Sequence, residues 1–229
     1  MCSYEVEPAL LLPRVPPGTE LDLWQGKAYV SLVAFLFLNT RFLGIPIPFH
    51  RNFEEANLRF YVRRTESDVV KRGVVFIKEI VPRWAIAAVA RLAYNENYAS
   101  MPMSHHVETI TGPEPATSVE YRWRFRSRLN RLSLRASGEP HTPEPGSIEQ
   151  FISEHYWGYC VTRGGGCLEY QVSHPPWQVW PAAGVHIDCD IAGIYGREFA
   201  GPLSERPVSA FLAGGSPVTV YQGTRIANP

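Results

Sequence analysis

Three polar residues occupy alternate positions of one predicted strand, where they can act together on a small molecule. Glu55, Asn57 and Arg59 lie in the sequence EANLRFYVRR (residues 55–64), and apolar residues fill the even-numbered positions from 58 to 62. Because successive side chains of a strand point to opposite faces, these three share one face. They offer a carboxyl group, an amide and a guanidinium, a combination that suits a small anion.

The same pattern has a purely structural interpretation. Glu55 and Arg59 can form a buried ion pair that does no more than fix the strand. Glu79, in the next predicted strand, can partner Arg59 in either case. Both interpretations stay open on the sequence alone.

A second group of candidates lies in SEHYWGYC (residues 153–160), where a predicted helix leads into a strand. An imidazole titrates near neutral pH, so His155 can act as a general base, and the hydroxyl of Tyr159 can donate a hydrogen bond. A packed helix end with satisfied hydrogen bonds explains both residues equally well. Glu55 and His155 are therefore the candidate catalytic residues.

The other reactive residue types form no recognisable catalytic motif. His105 and His106 are adjacent, as are the residues of Asp-Cys-Asp at 188–190, and neighbours in an extended chain point opposite ways, so we expect no metal site. Ser100 and Ser104 lack the sequence of a nucleophilic serine turn, and no phosphate-binding loop occurs. We expect neither a metal nor another cofactor.

Composition and charge exclude several classes of function. The 22 basic residues balance 22 acidic ones, so the excess positive charge that binds nucleic acid is absent. The longest apolar run, residues 28–38, is far shorter than the roughly 20 residues of a membrane helix. The first residues lack the basic start of a signal peptide. We expect a soluble, cytoplasmic protein without nucleic-acid or membrane partners.

The four cysteines indicate reduced thiols, because their spacing matches neither a zinc site nor a disulfide-rich scaffold. Cys160 and Cys167 flank a glycine-rich turn at 163–166 and can face each other across a hairpin. A disulfide between these two stays open.

The 20 prolines and 18 glycines are spread along the chain, which favours many short strands joined by turns within a single domain, residues 1–229. Pro46 and Pro48 predict an extended loop at 44–52. The predicted strands cover residues 20–24, 27–38, 55–64, 73–81, 117–136, 158–163, 167–174, 177–182 and 216–222. The first two read as a hairpin around Gln25-Gly26. Arginines on one face of 117–136 are typical of a solvated strand face.

Three helices are predicted. One is short and begins at Pro8, and a second covers residues 83–94, where apolar residues recur at helical spacing. The third begins at Ser147, which can cap it together with Gln150, and runs to about Tyr156.

The sequences GIPIPFHRNFEEANLR (44–59), FISEHYWGYC (151–160) and LEYQVSHPPWQVWP (168–181) resemble the YqjF-like family, known as domain of unknown function 2071. That family is similar to the acetoacetate-decarboxylase-like superfamily. The resemblance implies an α+β, mainly antiparallel β fold, in which a closed or nearly closed barrel with a few helices can hold a small ligand.

The resemblance also bears on the site. The decarboxylase uses a lysine that forms a Schiff base with its keto acid, and the corresponding stretch here, LAYNENYASMPM (92–103), offers Glu96 and Asn97 but no lysine. That route would need Lys78 from a different strand. An active-site glutamate at the start of a strand corresponds to Glu55. Asn97 and Tyr98 therefore join the predicted ligand-binding set, which also contains Glu55, Asn57, Arg59, His155 and Tyr159.

We expect a protein that binds a small carboxylate or keto-acid-like molecule in a barrel cavity without a Schiff-base lysine. Whether the bound molecule is turned over stays open. The alternative is a non-catalytic interaction or structural protein that acts through the interface of a homo-oligomer. An enclosed polar pocket would favour the first function, and an interior filled by side chains the second.

Overall fold

The structure is a computed structural model that describes residues 1–42, 45–46, 51–83, 97–111, 115–162 and 164–226. For residues 42, 45 and 46 it describes the backbone alone. The described strands are β1 Cys2–Val6, β2 Glu20–Leu21, β3 Ala28–Phe37, β4 Arg41–Phe42, β5 Ile45–Pro46, β6 Phe53–Glu66, β7 Val69–Val81, β8 Tyr98–Ser100, β9 Met103–Ile110, β10 Ala116–Phe125, β11 Arg128–Ser137, β12 Trp157–Val161, β13 Cys167–Ser173, β14 Val179–Asp188, β15 Ser209–Ala213, β16 Thr219–Val220 and β17 Thr224–Ile226. The α-helices are α1 Pro8–Leu11, α2 Ile148–Ser153 and α3 Ile191–Ile194, and short 3-10 helices cover Leu12–Arg14, Arg197–Phe199 and Pro202–Ser204.

Most strands belong to one large sheet. Its order is β16-β13-β12-β7-β6-β3-β1-β15-β14-β11-β10-β9, with β17 beside β13, β2 beside β6 and β8 beside β7. Neighbours are antiparallel except for the pairs β12–β7 and β7–β8. The expected mainly antiparallel β fold with few helices is therefore confirmed. The path has two ends among the described strands, so closure of the barrel stays a prediction.

Strand β6 separates two buried layers. Leu58, Phe60 and Val62 belong to the main core, which also receives side chains from β1, β3, β10 and β11. On the other face, Tyr61 packs in a smaller cluster with Phe151 of α2. The period-2 alternation of a strand places Glu55, Asn57 and Arg59 on the Tyr61 face.

The neighbouring strand β7 contains a β-bulge opposite Leu58 and Arg59 of β6. Leu58 pairs with Lys78, whereas Arg59 pairs with Phe76, so Ile77 is the extra residue. A bulge changes which residues of the bulged strand face each layer. Lys78 therefore shares the main-core face with Leu58, and Glu79 shares the opposite face with Asn57.

Several local predictions are confirmed. The predicted strands at 55–64 and 73–81 are found within β6 and β7, and α1 begins at Pro8. The side chain of Ser147 caps α2 by accepting a hydrogen bond from the backbone of Gln150 at 3.1 Å. Helix α2 ends at Ser153, three residues before the predicted end.

Other local predictions need correction. Residues 117–136 form a hairpin of β10 and β11 instead of one strand, and Arg126 adopts a positive φ of 54° in the turn. A tight turn exists at Gln25-Gly26, but only Trp24 and Lys27 pair across it, because β2 pairs with β6. The predicted helix at 83–94 lies outside the described residues except for its first residue, as do Glu96 and most of the loop at 44–52.

The remaining sequence expectations concern thiols and membranes. Cys160 and Cys167 lie on paired strands but in adjacent registers, since Cys160 pairs with Leu168 and Cys167 with Val161. All four cysteines of the structure are thiols. In the parts of the chain that the structure describes, no helix is long and apolar enough to cross a membrane.

Gly158 of β12 tests the packing of the sheet. A Cβ atom at this position would lie 2.0 Å from Cζ of Tyr170 on β13, whereas a Cβ at Gly184 of β14 meets nothing within 4 Å. We expect Gly158→Ala to lower the free energy of unfolding by roughly 1–3 kcal/mol through overpacking, measured by urea denaturation. Gly184→Ala is the matched control, and equal stability of the two variants would contradict the packing described.

Candidate functional site

A row of paired residues crosses four neighbouring strands on the Tyr61 face of the sheet, and three of the four residues are polar. Val33 of β3 pairs with Asn57 of β6, Asn57 pairs with Glu79 of β7, and Glu79 pairs with Tyr98 of β8. Glu55 lies two residues along β6 on the same face. The sheet register therefore brings two carboxyl groups, an amide and a phenol together.

Glu55 is the centre of this group. One carboxylate oxygen, Oε1, accepts a hydrogen bond from Nδ2 of Asn57 at 3.0 Å, and Oε2 accepts one from the hydroxyl of Tyr98 at 3.2 Å. Burial raises the pKa of Glu55 to about 7, although both hydrogen bonds and the charge of Arg59 act in the opposite direction. Glu55 can therefore gain or lose a proton near neutral pH.

Tyr98 links Glu55 to the second buried carboxyl group, Glu79. The pKa of the Tyr98 hydroxyl is raised well above its usual value, first by burial and then by the charges of Glu55 and Glu79. The hydroxyl of Tyr98 therefore stays protonated.

Arg59 extends the same face of β6. Its Nη2 atom donates to the backbone oxygen of Ile152 at 3.4 Å and lies 3.8 Å from Sδ of Met1, and its guanidinium lies 6.0 Å from the ring centroid of Tyr61. Among the described residues, no carboxylate forms an ion pair with Arg59. The buried ion pair with Glu55 or Glu79, considered from the sequence, is therefore not formed.

Three buried polar atoms on this side of the sheet have no hydrogen-bond partner among the described residues. They are Oδ1 of Asn57, Nε of Arg59 and Nδ1 of His155. A buried polar atom without a partner costs roughly 1–3 kcal/mol, and native structures contain few of them. These three atoms are therefore unsatisfied hydrogen-bonding groups on the face that carries Glu55.

His155 lies at the Tyr61 end of the same face. Its Nε2 atom is 3.1 Å from Oδ2 of Asp22, which also accepts a hydrogen bond from Arg72 at 2.6 Å. The imidazole packs on the rings of Tyr61 and Phe151, with centroids 4.6 and 5.1 Å away. Burial lowers the pKa of His155 to about 4, so the ring is neutral and Nδ1 is an acceptor when Nε2 donates to Asp22.

The two other predicted site residues have structural partners. Asn97 donates from Nδ2 to the backbone oxygen of Ile77 at 2.8 Å, and its own backbone oxygen accepts from the amide of Glu79 at 3.1 Å, so it holds β8 against β7. Tyr159 belongs to the main core, and its hydroxyl donates to the backbone oxygen of Lys71 at 3.3 Å. Tyr159 therefore lies in the other layer.

The structure thus brings together Glu55, Asn57, Arg59, Glu79 and Tyr98, which we call the β6 site. His155 lies next to the β6 site, because the ring of Tyr61 contacts both the imidazole of His155 and the guanidinium of Arg59. The alternation of the strand would have placed Tyr61 on the same face as Arg59, since Tyr61 follows Arg59 by two residues. No sequence signal links Asp22 to His155, which is 133 positions away.

Three of the residues considered as metal ligands have other partners. His105 contacts Glu54 at 2.7 Å, Asp188 pairs with Arg128 at 2.5 Å, and Asp190 caps α3. The described residues contain no group of three or more histidine, cysteine, aspartate or glutamate side chains that could hold an ion.

None of the three lysines of the chain lies in the β6 site. Lys78 is on the main-core face, where Nζ donates to the backbone oxygen of Ile194 at 2.6 Å and burial lowers its pKa. Lys71 pairs with Glu66 and Glu169, and Lys27 pairs with an exposed glutamate.

The fold is mainly antiparallel β, and its strand β6 presents a buried acid, a buried amide and a half-buried guanidinium on one face. The chain belongs to the DUF2071 family of uncharacterised conserved proteins, whose sequence profile matches residues 1–217. It is similar to the uncharacterised protein YqjF of Bacillus subtilis (strain 168), with 26% identity over 179 residues, which cover 76% of this chain and 69% of that protein. The predicted family is therefore confirmed.

Solved structures show the fold. Acetoacetate decarboxylase from Legionella pneumophila matches with a TM-score of 0.58 and 11% identity, covering 99% of this chain and 83% of that chain. An acetoacetate decarboxylase-like enzyme from Sphingomonas wittichii matches at 0.61 and 13%, covering 100% and 90%. The enduracididine biosynthesis enzyme MppR complexed with pyruvate matches at 0.63 and 13%, covering 99% and 87%.

The raised pKa of Glu55 predicts how the stability of the protein depends on pH. Because its pKa rises from the ordinary 4.5 to about 7 on folding, its protonation stabilises the native state below pH 4.5, and this contribution is lost as pH rises through 7. Between pH 5 and pH 8, we expect the wild type to lose roughly 2–3 kcal/mol of unfolding free energy relative to Glu55→Gln. Denaturant titrations of both proteins at the two pH values measure this difference.

The control for this experiment is Glu20→Gln, since the side chain of Glu20 is 62% exposed in its pair with Arg63. We expect its stability relative to the wild type to be nearly independent of pH over the same range. If Glu55→Gln behaves like this control, Glu55 has no raised pKa.

Proposed function

We propose that this protein binds a small carboxylate or keto-acid-like molecule at the β6 site, with the carboxylate on Arg59. The observation that carries the proposal is the state of Arg59, a half-buried cation that has no carboxylate partner among the described residues and a buried Nε atom without an acceptor. A partly desolvated guanidinium is stabilised by an anion that fits its planar set of donors. A small carboxylate satisfies both needs.

The solved relatives support this choice of ligand. MppR has been solved complexed with pyruvate, and also with the condensation product of pyruvate and imidazole 4-carboxaldehyde. Those ligands belong to MppR, and at 13% identity only the fold is shared. The same fold can thus hold a small keto acid, which makes this class of ligand a reasonable first probe here.

Within the proposed site, Glu55 is better suited than His155 to exchange a proton with a bound molecule. A general acid or base works best when its pKa is near the operating pH, and the pKa of Glu55 is about 7. The pKa of His155 is about 4, so its neutral ring serves as a hydrogen-bond acceptor. We therefore assign binding to the whole site and reserve acid or base chemistry for Glu55.

The proposal includes a nearly closed barrel and a cytoplasmic protein. Support for closure comes from the contact between His105 of β9, the last strand of the sheet path, and Glu54 of β6, whose side chains approach to 2.7 Å. This contact joins the far edge of the sheet to the strand that carries the site. A cytoplasmic location follows the sequence expectation.

Substitution of Arg59 tests ligand binding. We expect Arg59→Met to weaken the binding of pyruvate at least tenfold, because the neutral side chain removes the cation and its donors while keeping much of the apolar stem. Chemical-shift titration or calorimetry with pyruvate measures the change. Arg63→Met is the matched control on the same strand, since the side chain of Arg63 is 46% exposed and pairs with Glu20. Equal affinities of the two variants would remove Arg59 from the site.

The absence of a lysine from the β6 site predicts the outcome of covalent trapping. Incubation with pyruvate or acetoacetate and borohydride reduces any Schiff base to a stable amine adduct. We expect no such adduct by mass spectrometry, because Lys78 lies on the opposite face of the sheet. A lysine-linked product at Lys78 would show that the reacting molecule enters the main core.

A further inference from the structure

The hydrogen-bonding needs of Asn57 restrict the ligand more than Arg59 does. In the structure, Nδ2 of Asn57 donates to one oxygen of Glu55, and the other oxygen of Glu55 accepts from Tyr98, which is the arrangement of ionised Glu55. Oδ1 of Asn57 is then an acceptor, and it is buried without a donor among the described residues. The bound molecule must supply that donor.

The strands on either side of Asn57 offer no donor side chain. Its neighbour on β3 is Val33, which is apolar and buried. Its neighbour on β7 is Glu79, whose carboxylate accepts hydrogen bonds. Two acceptors thus lie side by side on the same face of the sheet, and a third, Glu55, lies two residues along β6.

The β6 site has a negative end at Glu55 and Glu79 and a positive end at Arg59. Glu55 and Glu79 place two carboxyl groups around Asn57, and Arg59 places a guanidinium two residues further along, about 6.6 Å away in a strand. On the β3 side, Phe35 faces Glu55 and adds no charge. A zwitterion with its ammonium group at Asn57 and its carboxylate at Arg59 matches these two ends in charge.

We infer that the molecule bound at the β6 site is a 2-amino acid, with its ammonium group donating to Oδ1 of Asn57 between the two carboxyl groups and its carboxylate on Arg59. This inference rests on the proposed function and names the substrate class of the same site. A 2-keto acid places an acceptor against Oδ1 of Asn57. A 2-hydroxy acid supplies one donor but no positive charge. A site built around a donor discriminates strongly against an analogue that lacks it, because its own polar group is then left unpartnered.

Binding of an ammonium group also predicts release of protons from the site. The groups that face Glu55 are Asn57 and Arg59 on β6, Glu79 on β7 and Tyr98 on β8. A new positive charge beside Glu55 favours its ionised form, so binding at pH 7 should displace about half a proton from a group that is half protonated there. A neutral or anionic ligand has no such effect.

Alanine, lactate and pyruvate provide the test, because these three-carbon acids differ only in the group at the 2-position. Calorimetry at pH 7, in two buffers with different ionisation enthalpies, gives both the affinity and the number of protons released. We expect alanine to bind at least tenfold more tightly than pyruvate, with lactate between them, and alanine alone to release protons. Glu55→Gln should bind alanine without proton release.

The outcomes separate this inference from the proposed function. Pyruvate binding as tightly as alanine would overturn the inference and leave the proposed function in place. If none of the three binds, both fail. Asn57→Asp keeps an oxygen acceptor and should retain the preference for alanine, whereas Asn57→Leu should reduce the ratio of affinities to about one, provided that both variants bind pyruvate as a measure of correct folding. An unchanged ratio in Asn57→Leu also overturns the inference.

Discussion

The alternation of β6 between two buried layers is the constraint on which the site depends. Its even-numbered side chains from Ala56 to Val62 are apolar and fill the main core, so this part of the strand is held firmly by hydrophobic packing. Its odd-numbered side chains are then forced onto the opposite face, and from Glu55 to Tyr61 all of them are polar or aromatic. The rigid core thereby orients the polar groups, which fits the general need for preorganised binding groups.

The bulge in β7 decides which charged residue joins this face. If the register seen at Arg59 and Phe76 continued without the extra residue, Lys78 would lie opposite Asn57. Because Ile77 is inserted, Glu79 takes that position and Lys78 turns into the main core. The bulge therefore keeps Lys78 out of the β6 site and places Glu79 in it.

Part of this arrangement can be predicted from the sequence. The period of β6 gives the shared face of Glu55, Asn57 and Arg59, because strand alternation is a local property. The bulge is not predictable from the sequence. The pattern of apolar and polar residues at 73–81 fits the strand register with or without the extra residue, and only pairing with β6 selects one register. The hydrogen bond between His155 and Asp22 joins distant parts of the chain, so no local pattern reports it.

Spacing along the strand explains why Glu55 and Arg59 form no ion pair. Residues four apart in a strand are separated by roughly 13 Å, and the amide of Asn57, which lies between them, is already hydrogen-bonded to Glu55. The negative and positive ends of the site are thus held apart, with Glu55 buried and Arg59 half-buried. An arrangement made for stability alone would bring the charges together, since an unpaired buried charge is destabilising. The separation matches the two opposite charges of the 2-amino acid that we infer as the ligand.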